Sequence, residues 1–165
     1  MHVDNDKSPQ GYIDEDIVPL LEKLHSLGYT TSSSCSGRIV LIKNPGDKSK
    51  ARWLYKTHKK ADKKEVENIL STNKDVWLLM EPVIIHAKAM NLGHAQRLLT
   101  AARNSGLKIS GITSIKNFTL ELRSTERIES LAKNADMITE ANKRLQRTKD
   151  KIKKLTSALN NLSQL

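Results

Sequence analysis

The segment of the chain best suited to chemistry is Thr31-Ser-Ser-Ser-Cys-Ser-Gly-Arg38, in which seven small residues precede an arginine. Small hydroxyl side chains fill a core poorly, but they leave backbone N–H groups accessible and offer short hydrogen-bonding arms. Glycine lets a ligand approach closely, and arginine can hold a carboxylate or a phosphate through two parallel bonds. We therefore predict that this segment lines a pocket. The alternative is a polar turn that leads into a strand, with Cys35 as a small buried residue.

Two histidines are candidates for proton transfer. His86 lies in the apolar run Val83-Ile-Ile-His-Ala87, where its burial is costly unless it is hydrogen-bonded, and Glu81 precedes it by five residues. His58 follows Trp53 by five residues. Imidazole ordinarily titrates near neutral pH, which suits a general base. The alternative for His86 is a hydrogen-bonded core residue without a catalytic role.

Several other kinds of site are excluded or not favoured. A single cysteine, Cys35, permits neither an internal disulfide nor a multi-cysteine zinc site, and no two histidines have the helical i, i+4 spacing. We predict no metal. The glycine-rich dinucleotide loop, the phosphate-binding P-loop and the Gly-x-Ser-x-Gly nucleophile turn are also missing. We expect His25 and His94 to be surface residues, since they lie on predicted helices without sequence partners.

The charge of the chain points to a polyanionic partner. The 165 residues carry 28 Lys plus Arg against 18 Asp plus Glu, a net charge of +10, and aromatic residues make up only 4%. Such a balance suits nucleic acid or an anionic membrane surface, although a merely basic and soluble surface is the simpler alternative. The polar, acidic start predicts no signal peptide, and no apolar run approaches the ~20 residues of a membrane span. We expect a soluble cytoplasmic protein.

Hydrophobic periodicity and glycine stops predict a mixed α+β domain. The expected elements, in chain order, are a helix over 15–27 capped by Asp14 or Asp16, a strand over 39–42 with a hairpin partner over 52–57, a helix over 62–70, a strand over 77–87, a helix over 92–104, and a second hairpin over 110–115 and 118–123.

An internal repeat lies beneath this order. A shift of 78 residues places Leu20, Gly28 and Ser32 on Leu98, Gly106 and Ser110. We interpret it as two related helix-plus-hairpin units that share one largely antiparallel sheet. The alternative is chance, because helices that lead into strands often end at a glycine.

The C-terminal segment, 128–165, is predicted to be helical and to follow a catalytic core over 1–127. Apolar residues recur every seven residues from Leu131 to Leu159, so the helix lies over the sheet or pairs with a second copy of the chain. Seven basic residues stand against Asp150 alone and give a net charge of +6: Lys143, Arg144, Arg147, Lys149, Lys151, Lys153 and Lys154. We predict that they bind phosphates; the alternative is a solvated helix face.

Four ordered motifs resemble the family of the third wybutosine-synthesising tRNA protein. The signature Ser33-Ser-Cys-Ser-Gly-Arg38 is followed by a Trp-to-His stretch, Trp53 to His58. Glu81-Pro-Val-Ile-Ile-His86 and Gly106-Leu-Lys-Ile-Ser-Gly-Ile112 come next. The resemblance covers about residues 11–123; Leu107 stands where the family usually has an aromatic residue.

The resemblance implies a methyltransferase that uses S-adenosylmethionine and methylates N-4 of a demethylated wyosine base beside the anticodon of phenylalanine tRNA. On that reading His58, His86 and Cys35 are catalytic candidates. Residues that would bind the methyl donor are Ser33, Ser34, Ser36, Gly37, Arg38 and Glu81, and those that would bind RNA are Trp53, Tyr55 and the basic helix. The alternatives are a non-catalytic tRNA-binding module and, more distantly, a DNA-associated or coiled-coil protein.

Overall fold

The computed structural model describes residues 14–47 and 49–162. Within them the chain forms four helices and eight strands. The helices are α1 (Val18–Ser26), α2 (Lys63–Thr72), α3 (Leu92–Asn104) and α4 (Met137–Leu162). The strands are β1 (Thr30–Cys35), β2 (Arg38–Lys43), β3 (Arg52–Thr57), β4 (Val76–Glu81), β5 (Ile84–Lys88), β6 (Gly111–Ser114), β7 (Thr119–Arg123) and β8 (Ile128–Leu131). The predicted α+β class is confirmed.

The strands form two antiparallel sheets instead of the single sheet that we expected. The order in one is β1-β5-β7-β6 and in the other β3-β2-β4-β8. The chain divides into two compact units accordingly. Unit 1 holds the first sheet and, in the described chain, residues 14–36, 83–125 and 148–162; unit 2 holds the second sheet and residues 37–82 and 126–147.

Pro82 explains why the predicted strand over 77–87 is two strands. Proline has no N–H to donate to a sheet ladder, so pairing stops there. β4 ends at Glu81 and belongs to unit 2, whereas β5 begins at Ile84 and belongs to unit 1. The N–H of Val83 donates instead to the Thr148 hydroxyl at 3.1 Å.

The two helices of the predicted repeat end in the same way in unit 1, but the strands that follow them do not form the two predicted hairpins. α1 and α3 both end in a Schellman motif, in which the glycine takes a positive φ of +83° at Gly28 and +100° at Gly106. The next residue donates its N–H back to the helix, Tyr29 to the Leu24 carbonyl and Leu107 to the Ala102 carbonyl. The two copies are α1-β1-β5 and α3-β6-β7. Unit 2 interrupts the first copy between its two strands, so the hairpin expected there, β2 with β3, lies in unit 2.

Each unit has its own hydrophobic core. In unit 1, α1, α3 and the second half of α4 bury leucines, isoleucines and alanines against one face of the first sheet. In unit 2, Ile39, Leu41, Leu78 and Met80 of the sheet pack with Val66 and with the first half of α4. Both cores are thus built mainly from aliphatic side chains, as the low aromatic content of the sequence predicts.

The C-terminal helix begins later than predicted, because residues 128–131 form β8, which pairs with β4. From Ile138 onward the predicted seven-residue stripe is buried within the chain: Ile138, Ala141, Leu145, Thr148, Ile152, Leu155 and Leu159 are at most 3% exposed. Of the two interpretations of this stripe, the structure has the helix lying over the cores of the chain. In the described part of the chain, no helix has the length and apolar character needed to cross a membrane.

Candidate active site

The first sheet has one apolar face and one polar face, and the polar face carries the candidate chemistry. Along β5, Ile85 and Ala87 are buried in the core while His86 and Lys88 point the other way. Along β7, Leu120 and Leu122 are buried, and Glu121 and Arg123 lie on the polar face. Strand alternation therefore brings charged side chains of neighbouring strands together on one surface.

Two of these side chains, His86 and Glu121, form with Ser33 of β1 a hydrogen-bonded row across β1, β5 and β7, which we call the relay. Ser33 pairs with His86, and His86 with Glu121, in the sheet register. Ser33 Oγ lies 2.7 Å from His86 Nδ1, and His86 Nε2 lies 3.2 Å from Glu121 Oε2. His86 is thus hydrogen-bonded, as a histidine in an apolar strand needs to be to offset the cost of its burial.

A β-bulge sets the direction of Ser33. The register of β1 against β5 shifts between Thr31 and Ser33, so one extra residue is inserted there. Thr31 is 4% exposed and bonds His25 Nε2 at 2.9 Å, whereas Ser33 turns toward His86. Without the bulge, the period-two alternation would put both side chains on the same face.

The direction of the hydrogen bonds in the relay follows from Glu121, which lies at one end of the row. Glu121 is an acceptor when ionised, so it favours the tautomer with the proton on His86 Nε2. Nδ1 then accepts from the Ser33 hydroxyl. Arg123 Nη1 lies 3.9 Å from the other oxygen of Glu121. The arrangement can accept a proton at Ser33 Oγ, pass one to His86, and stabilise the imidazolium through Glu121.

The rest of the signature is more enclosed than a simple polar turn. Ser34 is 7% exposed on the core side of β1, Cys35 is half-buried at the end of the strand, and Ser36 is fully buried. The N–H of Ser36 donates to Asp14 Oδ2 at 2.9 Å, so this amide is already bound by a carboxylate. The prediction that Asp14 or Asp16 caps α1 is wrong, because the helix starts without a side-chain cap. Ser36 Oγ has no hydrogen-bond partner among the described residues.

In unit 2, Arg38, Glu81 and Trp53 form what we call the arginine cluster. Arg38 and Glu81 face each other in the β2–β4 register, and Arg38 Nε donates to Glu81 Oε2. The guanidinium carbon lies 5.2 Å from the centre of the Trp53 ring, which is a cation–π contact. Trp53 is 50% exposed. Gly37, just before the cluster, takes a φ of +106°, which a residue with a side chain rarely adopts.

The remaining predicted residues of unit 2 lie elsewhere. Tyr55 pairs with Leu41 and packs against the core of unit 2, away from the face that carries Trp53, and burial raises the pKa of its hydroxyl. That position suits packing more than base stacking. His58 is half-buried and directly follows β3.

Several basic residues of α4 contact other residues of the chain, so fewer of them are available to a ligand than the sequence indicates. Lys149 forms an ion pair with Asp16, and the stem of Lys151 lies against Gly106. Arg144 donates to Glu140 at 2.9 Å and to the Arg127 carbonyl at 3.0 Å. The exposed members are Lys143, Arg147, Lys153 and Lys154.

The prediction that His94 is a surface residue is wrong. His94 is 4% exposed and its ring stacks on Tyr29, with the ring centres 3.8 Å apart. Its Nδ1 accepts the Met90 N–H at 3.3 Å. Burial, reinforced by the charge of Arg97, lowers its pKa. The helix pattern did place it among apolar neighbours, next to Ala95 and four residues before Leu98.

Glu121 is the site residue that sequence reasoning missed. A signal was present in 119–123, where Leu120 and Leu122 alternate with Thr119, Glu121 and Arg123. This alternation indicates a polar sheet face, but the partner strand that brings His86 beside Glu121 cannot be read from it.

Comparison with known proteins gives concordant matches. The sequence model of the family described as Methyltransferase TYW3 matches residues 1–162. A Pyrococcus horikoshii protein named tRNA(Phe) 7-((3-amino-3-carboxypropyl)-4-demethylwyosine(37)-N(4))-methyltransferase 1 is 38% identical over 93% of this chain and 88% of its own. An Archaeoglobus fulgidus methyltransferase of the corresponding name is 37% identical over 93% and 86%. A solved Pyrococcus horikoshii structure superposes with a TM-score of 0.83 at 37% identity, covering 92% of this chain and 87% of that one.

Proposed function

Because the chain belongs to the TYW3 methyltransferase family, we propose that it methylates N-4 of a 4-demethylwyosine-type base beside the anticodon of phenylalanine tRNA. The observation that carries this function is the 38% identity to a relative named for that reaction, over nearly the whole of both chains. It agrees with the four motifs of the sequence. The cytoplasmic location remains a prediction, consistent with a tRNA substrate.

The residues of the arginine cluster fit the methyl donor, S-adenosylmethionine, which supplies an electrophilic methyl group when bound. Among the described residues Arg38 makes its side-chain hydrogen bond through Nε, which leaves the Nη donors for a carboxylate. The Glu81 carboxylate suits a cationic group.

We assign the proton transfer to the relay. Methyl transfer would form the new N–C bond with the lone pair of the target nitrogen as the S–C bond of the donor breaks and its electron pair stays on sulfur, and the nitrogen loses its proton. Ser33 Oγ accepts that proton as the Ser33 hydroxyl proton moves to His86 Nδ1. Glu121 stabilises the imidazolium by accepting from Nε2. Most of the remaining acceleration comes from alignment of the two substrates, which the protein supplies by holding them in place.

RNA contacts are assigned to exposed groups. Trp53 offers a ring face on which an unstacked anticodon-loop base can stack, and Lys143, Arg147, Lys153 and Lys154 offer cations for the phosphates. Lys149 and Lys151 are engaged within unit 1 and contribute less. Cys35 and His58 keep their place as catalytic candidates, to be tested by substitution.

The test is methylation in vitro. Phenylalanine tRNA that carries the demethylated base is incubated with the protein and S-adenosylmethionine, and the nucleosides are analysed by mass spectrometry. We expect a mass gain of one methyl group on the modified base. Tight tRNA binding without any methylation, together with no binding of the methyl donor by calorimetry, would instead support the non-catalytic tRNA-binding module.

A further inference from the structure

A cavity of about 410 Å³ opens in unit 1 beside the polar face of the first sheet. Lys88 and Lys116 line it together with Thr30, Met90, Asn117 and Phe118. No carboxylate belongs to this lining in the described chain, and neither lysine forms an ion pair with residues 14–47 or 49–162. Two cations that share a cavity without a counter-charge repel each other, and an anion between them removes that cost.

The backbone fixes this cavity. Lys88 ends β5, where it pairs with Thr30 on one side and Thr119 on the other. Lys116 lies in the turn between β6 and β7, and the Ala89 N–H donates to the Phe118 carbonyl at 3.0 Å, which ties this turn to the end of β5. Gly28 forms the remaining wall with a φ of +83°. The two lysines are therefore presented by sheet and turn positions that are hydrogen-bonded to each other.

The cavity adjoins the face of the first sheet that carries the relay. Lys88 follows His86 by two residues on the same face of β5, which separates their backbone positions by about 6 to 7 Å. A nucleotide whose base reaches the relay has its phosphates several ångströms from that base. A phosphate in this place meets two lysines, while the exposed Met90 and the half-buried Phe118 offer apolar contact to a sugar or a neighbouring base.

We infer that this lysine cavity is a phosphate-binding subsite that holds the RNA strand next to the target base. The inference rests on the proposed function for the identity of the RNA. It adds a contact that neither the basic helix nor the sequence motifs predict. A free nucleotide has the same phosphate chemistry, and the experiment separates the two sources.

The experiment compares three full-length proteins: the wild type, the double variant Lys88→Gln/Lys116→Gln, and the control Lys108→Gln. Lys108 is an exposed lysine of unit 1 that does not line this cavity. Binding of phenylalanine tRNA is measured from 50 to 300 mM KCl without methyl donor. Each lost phosphate contact lowers the slope of log K against log salt by about 0.7 to 0.9, so the double variant should lose about 1.4 to 1.8. The control should keep the wild-type slope.

Three results would overturn the inference. One is an unchanged slope in a double variant whose circular dichroism is that of the wild type. Another is a loss of about 0.7 to 0.9 in Lys108→Gln, the same loss per lysine as in the double variant, which would mean general surface charge. The third is adenosine 5′-monophosphate binding that depends on both lysines while the tRNA slope does not, which would make the site one for free nucleotides. The single variants, each expected to lose about half of the effect, provide the same test if the double variant does not fold.

Binding without methyl donor also separates this inference from the proposed function. A wild-type protein with a lysine-dependent tRNA slope but no methylation would keep the subsite and refute the activity. A wild-type protein that methylates tRNA, with a slope that is indifferent to both lysines, would refute the subsite alone.

Discussion

Replacement of exposed cations on α4 tests whether this helix binds the tRNA backbone. Lys143, Arg147 and Lys154 are exposed, and spacings of four and seven residues place them on one side of a helix. Lys149 belongs to the same basic run but forms an ion pair with Asp16. The variant Lys143→Gln/Arg147→Gln/Lys154→Gln removes three exposed cations that form no ion pair within the described residues, and Lys149→Gln serves as the matched control. Glutamine is a good helix former, so α4 should persist in both.

The magnitude follows from counterion release. Three phosphate contacts contribute about 2.1 to 2.7 to the slope of log K against log salt concentration. Between 50 and 200 mM salt the wild type should therefore lose about 20- to 40-fold more affinity than the triple variant, by the same rule. Lys149→Gln should change the slope by well under the roughly 0.7 to 0.9 of one contact, because its ammonium is already paired with Asp16.

Filter binding or fluorescence anisotropy with phenylalanine tRNA at four or more salt concentrations measures both slopes, and circular dichroism checks the helix. The rate at saturating tRNA should differ little between the control and the wild type. An unchanged slope in the triple variant would show that these residues are solvated charge. A loss of about 0.7 to 0.9 in Lys149→Gln, which is that of one full contact, would show that the Asp16 ion pair does not withdraw this lysine from RNA, and it would refute the selection of residues from the structure.

Four further predictions concern the two units. Arg38→Ala and His86→Ala should each reduce methylation at least tenfold, about 1.4 kcal/mol of transition-state stabilisation, in single-turnover assays; wild-type turnover would remove that residue from the site. Cys35→Ser should leave the melting temperature nearly unchanged, because the volume change is small and the thiol is only half-buried. The pKa of His94 is lowered in the folded state, so below the ordinary histidine pKa near 6.5 the folded state binds fewer protons than the unfolded state. The free energy of unfolding measured with urea should therefore fall from pH 7 toward pH 5, and it should fall less steeply in His94→Gln. Gly106→Ala should cost about 1 to 2 kcal/mol in urea unfolding, because φ is +100° and the new Cβ would lie 3.0 Å from Lys151 Cε; an unchanged midpoint would contradict the strain at this turn.

Most of the elements could be predicted from local pattern, because their causes are local. Gly28 and Gly106 end helices through positive φ values, and Asp62 and Asn91 cap α2 and α3 through their side chains. Sheet partners have no local cause. Pro82 signals that a ladder is interrupted, but nothing in 77–87 says that the two halves join different sheets. The seven-residue stripe of α4 is likewise compatible with two arrangements: burial within its own chain, and pairing with a second copy of the chain.

The relay shows where local patterns stop being sufficient for a site. His86 could be chosen from the sequence because a histidine in an apolar strand needs a hydrogen-bond partner. The identity of that partner depends on two features that the sequence does not determine. One is the bulge that turns Ser33 away from the core, and the other is the register that sets Glu121 opposite His86. A shift of one residue in the β5–β7 register would set the buried Leu120 or Leu122 opposite His86 and leave it without its carboxylate. Insertion of unit 2 between β1 and β5 also makes the β1–β5 register long-range, because Ser33 and His86 are 53 residues apart in the chain. Packing of the leucines on the opposite face of the first sheet is what fixes the β5–β7 register, so the same residues that form the core of unit 1 also align the relay.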